Sequence, residues 1–209
     1  MPLPINNDQY SLALTQFFPL SGIFPSPDVD SGGIPLGSIR TFAGGFALGG
    51  SSTAEGQLLA INVNQEVFSL LGTTYGGNAT TNFALPDLDG RTMIGVGQGL
   101  GLDPVQLGMP VGSSQLALAT AQLPTNVGGS NQPFDNYQDS LPIHYLIRTE
   151  GVFPSESGGT GGNDFMGEIV PFAGGFVPGG FMEAAGQILQ IADMRTCSSS
   201  SARPTAATE

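Results

Sequence analysis

Residues 57–99 read QLLAINVNQEVFSLLGTTYGGNATTNFALPDLDGRTMIGVGQG and hold the most regular local pattern in the chain. Val67, Phe68, Leu70 and Leu71 recur at helical spacing behind Asn64, a residue type suited to capping a helix start. Gly72 stops that helix. The turn-rich TTYGGNATTN follows at 73–82, then Phe83-Ala84-Leu85-Pro86-Asp87 as a short extended piece, then a glycine-punctuated run to Gly101. One short helix near 64–71, set among short strands and many turns, predicts a mainly β fold.

Composition agrees with that pattern. Among 209 residues there are 32 glycines and 16 prolines, and only 11% of residues are charged. Such a chain is spent on turns and short strands, not on long helices. No apolar run is long enough to cross a membrane. The start, MPLPINNDQY, lacks a basic segment followed by an apolar one, so no standard signal peptide is expected. Net charge is −12, and the five basic residues are Arg40, Arg91, Arg148, Arg195 and Arg203. Nucleic acid and anionic membranes are therefore disfavoured partners. The single cysteine, Cys197, has no internal disulfide partner.

An internal repeat sets the organisation. GSIRTFAGGFALGGSSTAEGQLLAI at 37–61 aligns without a gap on GEIVPFAGGFVPGGFMEAAGQILQI at 167–191, an offset of 130. Phe42 falls on Phe172, and Gly56-Gln57 falls on Gly186-Gln187. SLALTQFFPLSGIFPS at 11–26 aligns on SLPIHYLIRTEGVFPS at 140–155, an offset of 129. The chain thus divides into five pieces. Residues 1–33 are the tail end of a unit plus a linker, and 34–155 a complete unit. A glycine-rich linker at 156–165 leads to the head of another unit at 166–192, and 193–209 is an aberrant tail.

The quoted block carries a family resemblance. Phe68-Ser-Leu-Leu-Gly-Thr-Thr-Tyr-Gly-Gly-Asn78, Thr81-Asn-Phe-Ala-Leu-Pro-Asp87, Gly90-Arg91 and Gly95-Val-Gly-Gln-Gly99 resemble the phage tail collar domain. The resemblance implies a glycine-rich, collar-type β module of a phage tail fibre or of a bacterial extracellular appendage. It implies a structural part outside the cell, and neither an enzyme nor a cofactor is expected. Relatives tend to carry an aromatic and a Cys-Asp-Gly-Gln run where this chain has Gly50-Ser51-Ser52-Thr53-Ala54-Glu55-Gly56-Gln57. The histidines that often follow Ala-Gln-Leu-Pro are missing after Ala121-Gln122-Leu123-Pro124, so no metal site carries over.

The aberrant tail has a reading of its own. With suitable codons, one base restored before Met194 turns residues 194–209 into N-E-D-L-F-I-I-L-G-T-T-Y-G-G-N, in register with Asn64–Asn78. The tail is thus expected to be the second copy of the central block read out of frame. A coding sequence that no one-base change converts to that peptide would sink the idea.

Each partial unit is too small to bury its own apolar face. The N-terminal piece offers Leu12, Leu14, Phe17, Phe18, Ile23 and Phe24, and the C-terminal piece Ile169, Phe172, Phe176, Phe181, Ile188 and Leu189. We expect these at a subunit interface, where the tail segment of one copy completes the head of the next and a filament propagates. A clasp between the two ends of one chain is the competing arrangement. The expected partner is the chain itself. The other functional reading is a receptor- or glycan-binding tail-fibre module that uses exposed aromatics such as Tyr75, Phe134 and Tyr137.

Chemistry-bearing motifs are sparse. Gly95-Val-Gly97-Gln-Gly99-Leu-Gly101 has Leu100 where a dinucleotide loop needs glycine, and no βαβ pattern surrounds it. His144 is the only histidine and sits in an alternating strand pattern, which suggests a strand surface position. Asp87, Asp89 and Asp103 lie in PDLDGR and LDPV, where aspartate serves turns more often than acid–base work or Ca²⁺ binding. No catalytic, cofactor-binding or metal-ligating residue is expected.

Overall fold

The computed structural model describes residues 5–6, 12–27, 34–46, 49–134, 136–151 and 166–188. The strands are β1 (Ile5–Asn6), β2 (Thr15–Pro19), β3 (Arg40–Phe42), β4 (Ser51–Thr53) and β5 (Leu58–Ala60). A 3₁₀ turn (Ile61–Val63) leads into α1 (Gln65–Leu71). Then come β6 (Asn82–Ala84), β7 (Thr92–Gly95), β8 (Gln115–Leu116), β9 (Ser140–Arg148), β10 (Ile169–Phe172) and β11 (Phe181–Glu183). The fold is mainly β, with open sheets and one α-helix among the described residues.

Four sheets form. Two are ribbons, β1 with β8 and β5 with β6. The third is three-stranded in the order β3-β2-β4. The fourth has the order β10-β9-β11, with β7 also on β9. Strand β9 is long enough to serve two sets of partners. Its first half, Ser140–Ile143, pairs in parallel with β7, and its second half pairs antiparallel with β10 and β11.

Among the described residues one apolar core joins three of the sheets and takes no side chain from the β1–β8 ribbon. Phe18 comes from β2, Val67, Leu70 and Leu71 from α1, Phe83 and Leu85 from the extended piece, and Leu141, Ile143 and Leu146 from β9. Phe172 and Phe181 come from the C-terminal head. The helix buries Val67, Leu70 and Leu71, while Phe68 leans on Phe83 with ring centroids 5.5 Å apart. Gly72 closes the helix, its N–H donating to the Phe68 carbonyl at 2.8 Å.

The helix start differs from the sequence expectation. Asn64 stands at the N-cap, but its side chain makes no cap hydrogen bond. The 3₁₀ turn just before it sets φ −133° and ψ 42°, not the extended backbone of a side-chain cap. Its amide donates instead to the Ala60 carbonyl at 3.0 Å.

Candidate functional site

The same three-stranded sheet is built twice. Thr15, Gln16 and Phe17 face Phe42, Thr41 and Arg40, just as His144, Tyr145 and Leu146 face Phe172, Pro171 and Val170. Phe17, Phe18 and Pro19 face Thr53, Ser52 and Ser51, as Leu146, Ile147 and Arg148 face Glu183, Met182 and Phe181. The tail strand is central in both, and it pairs with the head that comes after it in sequence.

The repeat extends to single atoms. Leu20 N–H donates to Gly50 O, and Thr149 N–H to Gly180 O, each at 2.9 Å. Ala54 N–H donates to Gln16 O, and Ala184 N–H to Tyr145 O. Gln57 Oε1 accepts from Glu55 N–H and Gln187 Oε1 from Ala185 N–H, each at 3.0 Å. Their Nε2 groups donate back to the carbonyls of Thr53 and Glu183. The ring of Phe42 meets Phe46 edge-on at 5.4 Å, and Phe172 meets Phe176 the same way at 6.1 Å.

The surroundings of the two copies are not repeated. On the first head the extended piece lies along residues 54–57. Leu88 N–H donates to Ala54 O at 2.8 Å, Gly56 N–H to Pro86 O at 3.2 Å, and Leu85 N–H to Gln57 O at 3.1 Å. Ala54 is buried beneath it, 2% exposed. On the second head residues 184–188 are exposed, and no counterpart of those three bonds forms among the described residues. The tails show the reverse. Leu141 and Ile143 are buried beside β7, whereas residues 12–14 have no strand partner among the described residues, and Leu12 is 83% exposed.

The central block is therefore shared. Its extended piece covers the head before it, and its strand β7 flanks the tail after it. Arg91 sits between the two. Its Nε donates to Asp139 Oδ1 at 3.1 Å, and its Nη1 to the Asp87 carbonyl at 3.2 Å and to Asp87 Oδ2. The hydrogen bond with Asp87 raises the Arg91 pKa most; burial opposes it, and the charges of Asp87 and Asp139 add to the rise. One cation with two carboxylates leaves no net positive charge to draw an anion.

The bare N-terminal tail borders this clamp. Leu12, Leu14, Leu88, Arg91, Met93, Asp139 and Tyr145 line an open groove of about 970 Å³. Asp87 also closes its own turn, Oδ1 accepting from Asp89 N–H at 3.3 Å. Among the described residues no three His, Cys, Asp or Glu side chains are grouped to hold a metal ion.

The residues expected at an interface fall into two sets. Phe17, Phe18, Phe172 and Phe181 are buried in the chain's own core, and Phe176 packs against it. Leu12, Leu14, Ile23, Phe24, Ile169 and Ile188 are exposed, Ile188 at 91%. Leu189 lies outside the described residues, as does the tail at 189–209. The two end pieces touch, Gly179 N–H donating to Ser26 O at 2.6 Å, but β2 and the C-terminal strands belong to different sheets.

Three placements were not legible in the sequence. Tyr75 is not a free aromatic: its hydroxyl donates to Ala173 O at 2.9 Å, and burial raises its pKa. Phe134 and Tyr137 do remain exposed. His144 is on a strand as expected but only 16% exposed, its Nδ1 2.9 Å from Glu183 Oε1. Arg148 is fully buried, its guanidinium 4.4 Å from the centroid of Phe181 and its Nε 3.3 Å from Glu168 Oε2. The repeat of Gly-Gln at 56–57 and 186–187 was the signal for the turn that glutamine holds.

Such a site defines a class: a β-rich, glycine-turned packing module with interlocked units. Residues 37–93 match the family model of the Phage Tail Collar Domain. The match begins at the first head and ends inside β7, covering the helix, the extended piece and Arg91. No curated protein and no solved structure matches the chain. A tail collar domain points to a structural role in a phage tail fibre, and so to a virion tail component outside the cell. The family is structural, not enzymatic. No helix among the described residues is long and apolar enough to cross a membrane.

Proposed function

We propose that the chain is a structural subunit of a phage tail fibre that assembles head-to-tail through the uncovered edges of its first tail and second head. One observation carries this reading: the head–tail sheet occurs twice, while the central block that covers a head and flanks a tail is described only once. Each end therefore keeps an edge whose internal equivalent is covered. Open strand edges recruit further polypeptide by backbone pairing, and a contact between unlike surfaces propagates.

Negative-stain microscopy of the purified chain tests it, beside a Leu12→Asp/Leu14→Asp variant. Deleting residues 1–26 would be a poor control, because it removes β2, the central strand of a sheet. Both leucines are exposed, so the double variant keeps its fold. Filaments from the intact chain that the variant fails to form are expected. Compact particles from both would overturn the reading. The exposed pair Phe134 and Tyr137 supports a second reading, a receptor- or glycan-binding tip. A glycan array whose signal disappears with Phe134→Ala/Tyr137→Ala is its test.

A further inference from the structure

We propose that the Asp89–Gly90 peptide link is a site of spontaneous isoaspartate formation, and that the rearrangement loosens the Arg91 clamp. The reaction needs one chain and water, and is independent of assembly. Asp89-Gly90 is the one step in the sequence where Asp or Asn precedes glycine. Glycine puts no side chain beside the attacking nitrogen and leaves the backbone free to turn toward the carboxyl. In the first step the Gly90 nitrogen bonds to Asp89 Cγ, and the amide hydrogen leaves with the carboxyl hydroxyl as water. Water then opens the five-membered succinimide. Opening at the side-chain carbonyl restores aspartate. Opening at the main-chain carbonyl leaves the chain running through Cγ, with the α-carboxylate as the side group. One water leaves and one returns, and nothing is oxidised or reduced.

The structure leaves this step open and closes the ones beside it. Asp89 and Gly90 are exposed and border the open groove. Among the described residues neither the Asp89 carboxyl nor the Gly90 N–H has a hydrogen-bond or ionic partner. Gly90 holds φ 69°, and a methyl group built there would meet nothing within 4 Å, so the ring has room. Asp87 and Asp139 are the contrast. Both carboxylates are held by Arg91, and the amides that would attack them are engaged, Leu88 N–H on Ala54 O at 2.8 Å and Ser140 N–H on Val111 O at 2.9 Å. Asp103 precedes Pro104, which has no N–H. The extra main-chain carbon would enter where both sides are anchored. Arg91 N–H closes the turn on Leu88 O at 3.2 Å, Leu88 is tied to the first head, and Thr92 N–H is tied to Asp139 O at 3.1 Å. The added length therefore falls on Arg91 and its bonds to Asp87 and Asp139.

The test ages the full, folded chain for weeks in neutral buffer and maps isoaspartate by electron-transfer fragmentation of its peptides. Isoaspartate at Asp89 is expected, about tenfold or more above any at Asp87 or Asp139. Asp89→Glu should abolish it, because the ring would need a sixth member, and this exposed carboxyl has no bond to lose. Asp89→Asn should pass through the same ring with loss of ammonia, and gain the mass difference between an amide and an acid. Denaturant titration reads the effect on the clamp. A fraction of the aged chain matching its isoaspartate content should unfold at lower denaturant, and aged Asp89→Glu should show no such fraction. Asp89 that stays intact, or an Asp89→Asn chain whose mass holds, overturns the site. Equal isoaspartate at Asp139 overturns it too, since the hydrogen bonds would then decide nothing. Isoaspartate at Asp89 without a weaker fraction overturns the link to the clamp.

Discussion

The head at 37–58 and the head at 167–188 have the same strand register on their tail strands, yet one is covered and the other bare. The difference separates two things that a finished domain mixes. Register comes from the head and tail sequences, since it is the same where the central block lies on the head and where it lies on the tail. Burial comes from the central block, which adds bonds to an edge already shaped. Within the chain the first head and the second tail are each completed by the one central block between them.

The largest contrast between the two heads should come from placing the same charge under both edges. Ala54 is 2% exposed beneath the extended piece, and Ala184 is exposed. Ala54→Glu leaves a buried carboxylate without a cation and should cost about 5 kcal/mol, comparable to the whole stability of a small domain. Ala184→Glu should stay within about 0.5 kcal/mol. Denaturant titrations of the two variants measure the contrast. Equal losses would mean that the second head is covered in solution.

The aromatic pairs give the next largest contrast. Phe172 is fully buried and meets Phe176, while Phe42, its equivalent, is half-buried against Phe46. Phe172→Ala removes a whole core ring and should cost about 4 kcal/mol, and Phe42→Ala about half of that. Here the order of the two heads reverses, because Phe172 lies where the C-terminal head meets Leu70 of the helix and the N-terminal head beside Gly37. Thermal unfolding of both variants decides it.

Gly56 and Gly186 bear on the same point at lower energy. Both hold a left-handed backbone that alanine adopts at a cost of about 1 kcal/mol. Gly56→Ala adds a methyl 2.9 Å from Asp87, a residue fixed by Arg91, so about 2 kcal/mol is expected there. Gly186→Ala should show the backbone cost alone. If both variants lose equal stability, the extended piece is not seated against Gly56.

Much of this was legible in the sequence because repetition was. An offset of 130 for the heads and 129 for the tails placed equivalent residues in register, and the pairing of each tail strand with its head respects those offsets. The helix at Gln65–Leu71 was legible from Val67, Leu70, Leu71 and the stop at Gly72. Pairing was harder to read. A strand edge of backbone groups has no side-chain code for its partner, so nothing in TQFFP says that it joins the head after it. The parallel run of Thr92–Gly95 on Ser140–Ile143 was equally hidden, with some forty residues between the partners and no periodic signal. Side-chain ties across such distances, Arg91 to Asp139 and Tyr75 to Ala173, become readable only once the sheets are placed.

Tyr75 supplies the smallest effect and the one with a pH signature. Its ring packs against the core from the turn after the helix, and its hydroxyl donates to the Ala173 carbonyl of the C-terminal head. It thus ties the covered half of the molecule to the bare one. Tyr75→Phe keeps the ring and loses one hydrogen bond, so about 1 kcal/mol is expected near neutral pH. Burial raises the folded pKa of this phenol above its ordinary value of 10.0. In the unfolded chain the proton leaves near pH 10, while the folded chain still holds it. The unfolded state then binds fewer protons, so stability falls as pH rises. The Tyr75 contribution is complete below about pH 10 and declines above it, by at most about 1.4 kcal/mol per pH unit. Tyr145, whose pKa is raised by the same cause, adds to the slope. Chemical denaturation between pH 8 and pH 11 should therefore show an alkaline loss that Tyr75→Phe reduces. An unchanged alkaline slope in that variant would mean that the hydroxyl meets water in solution, and that the two halves are not tied there.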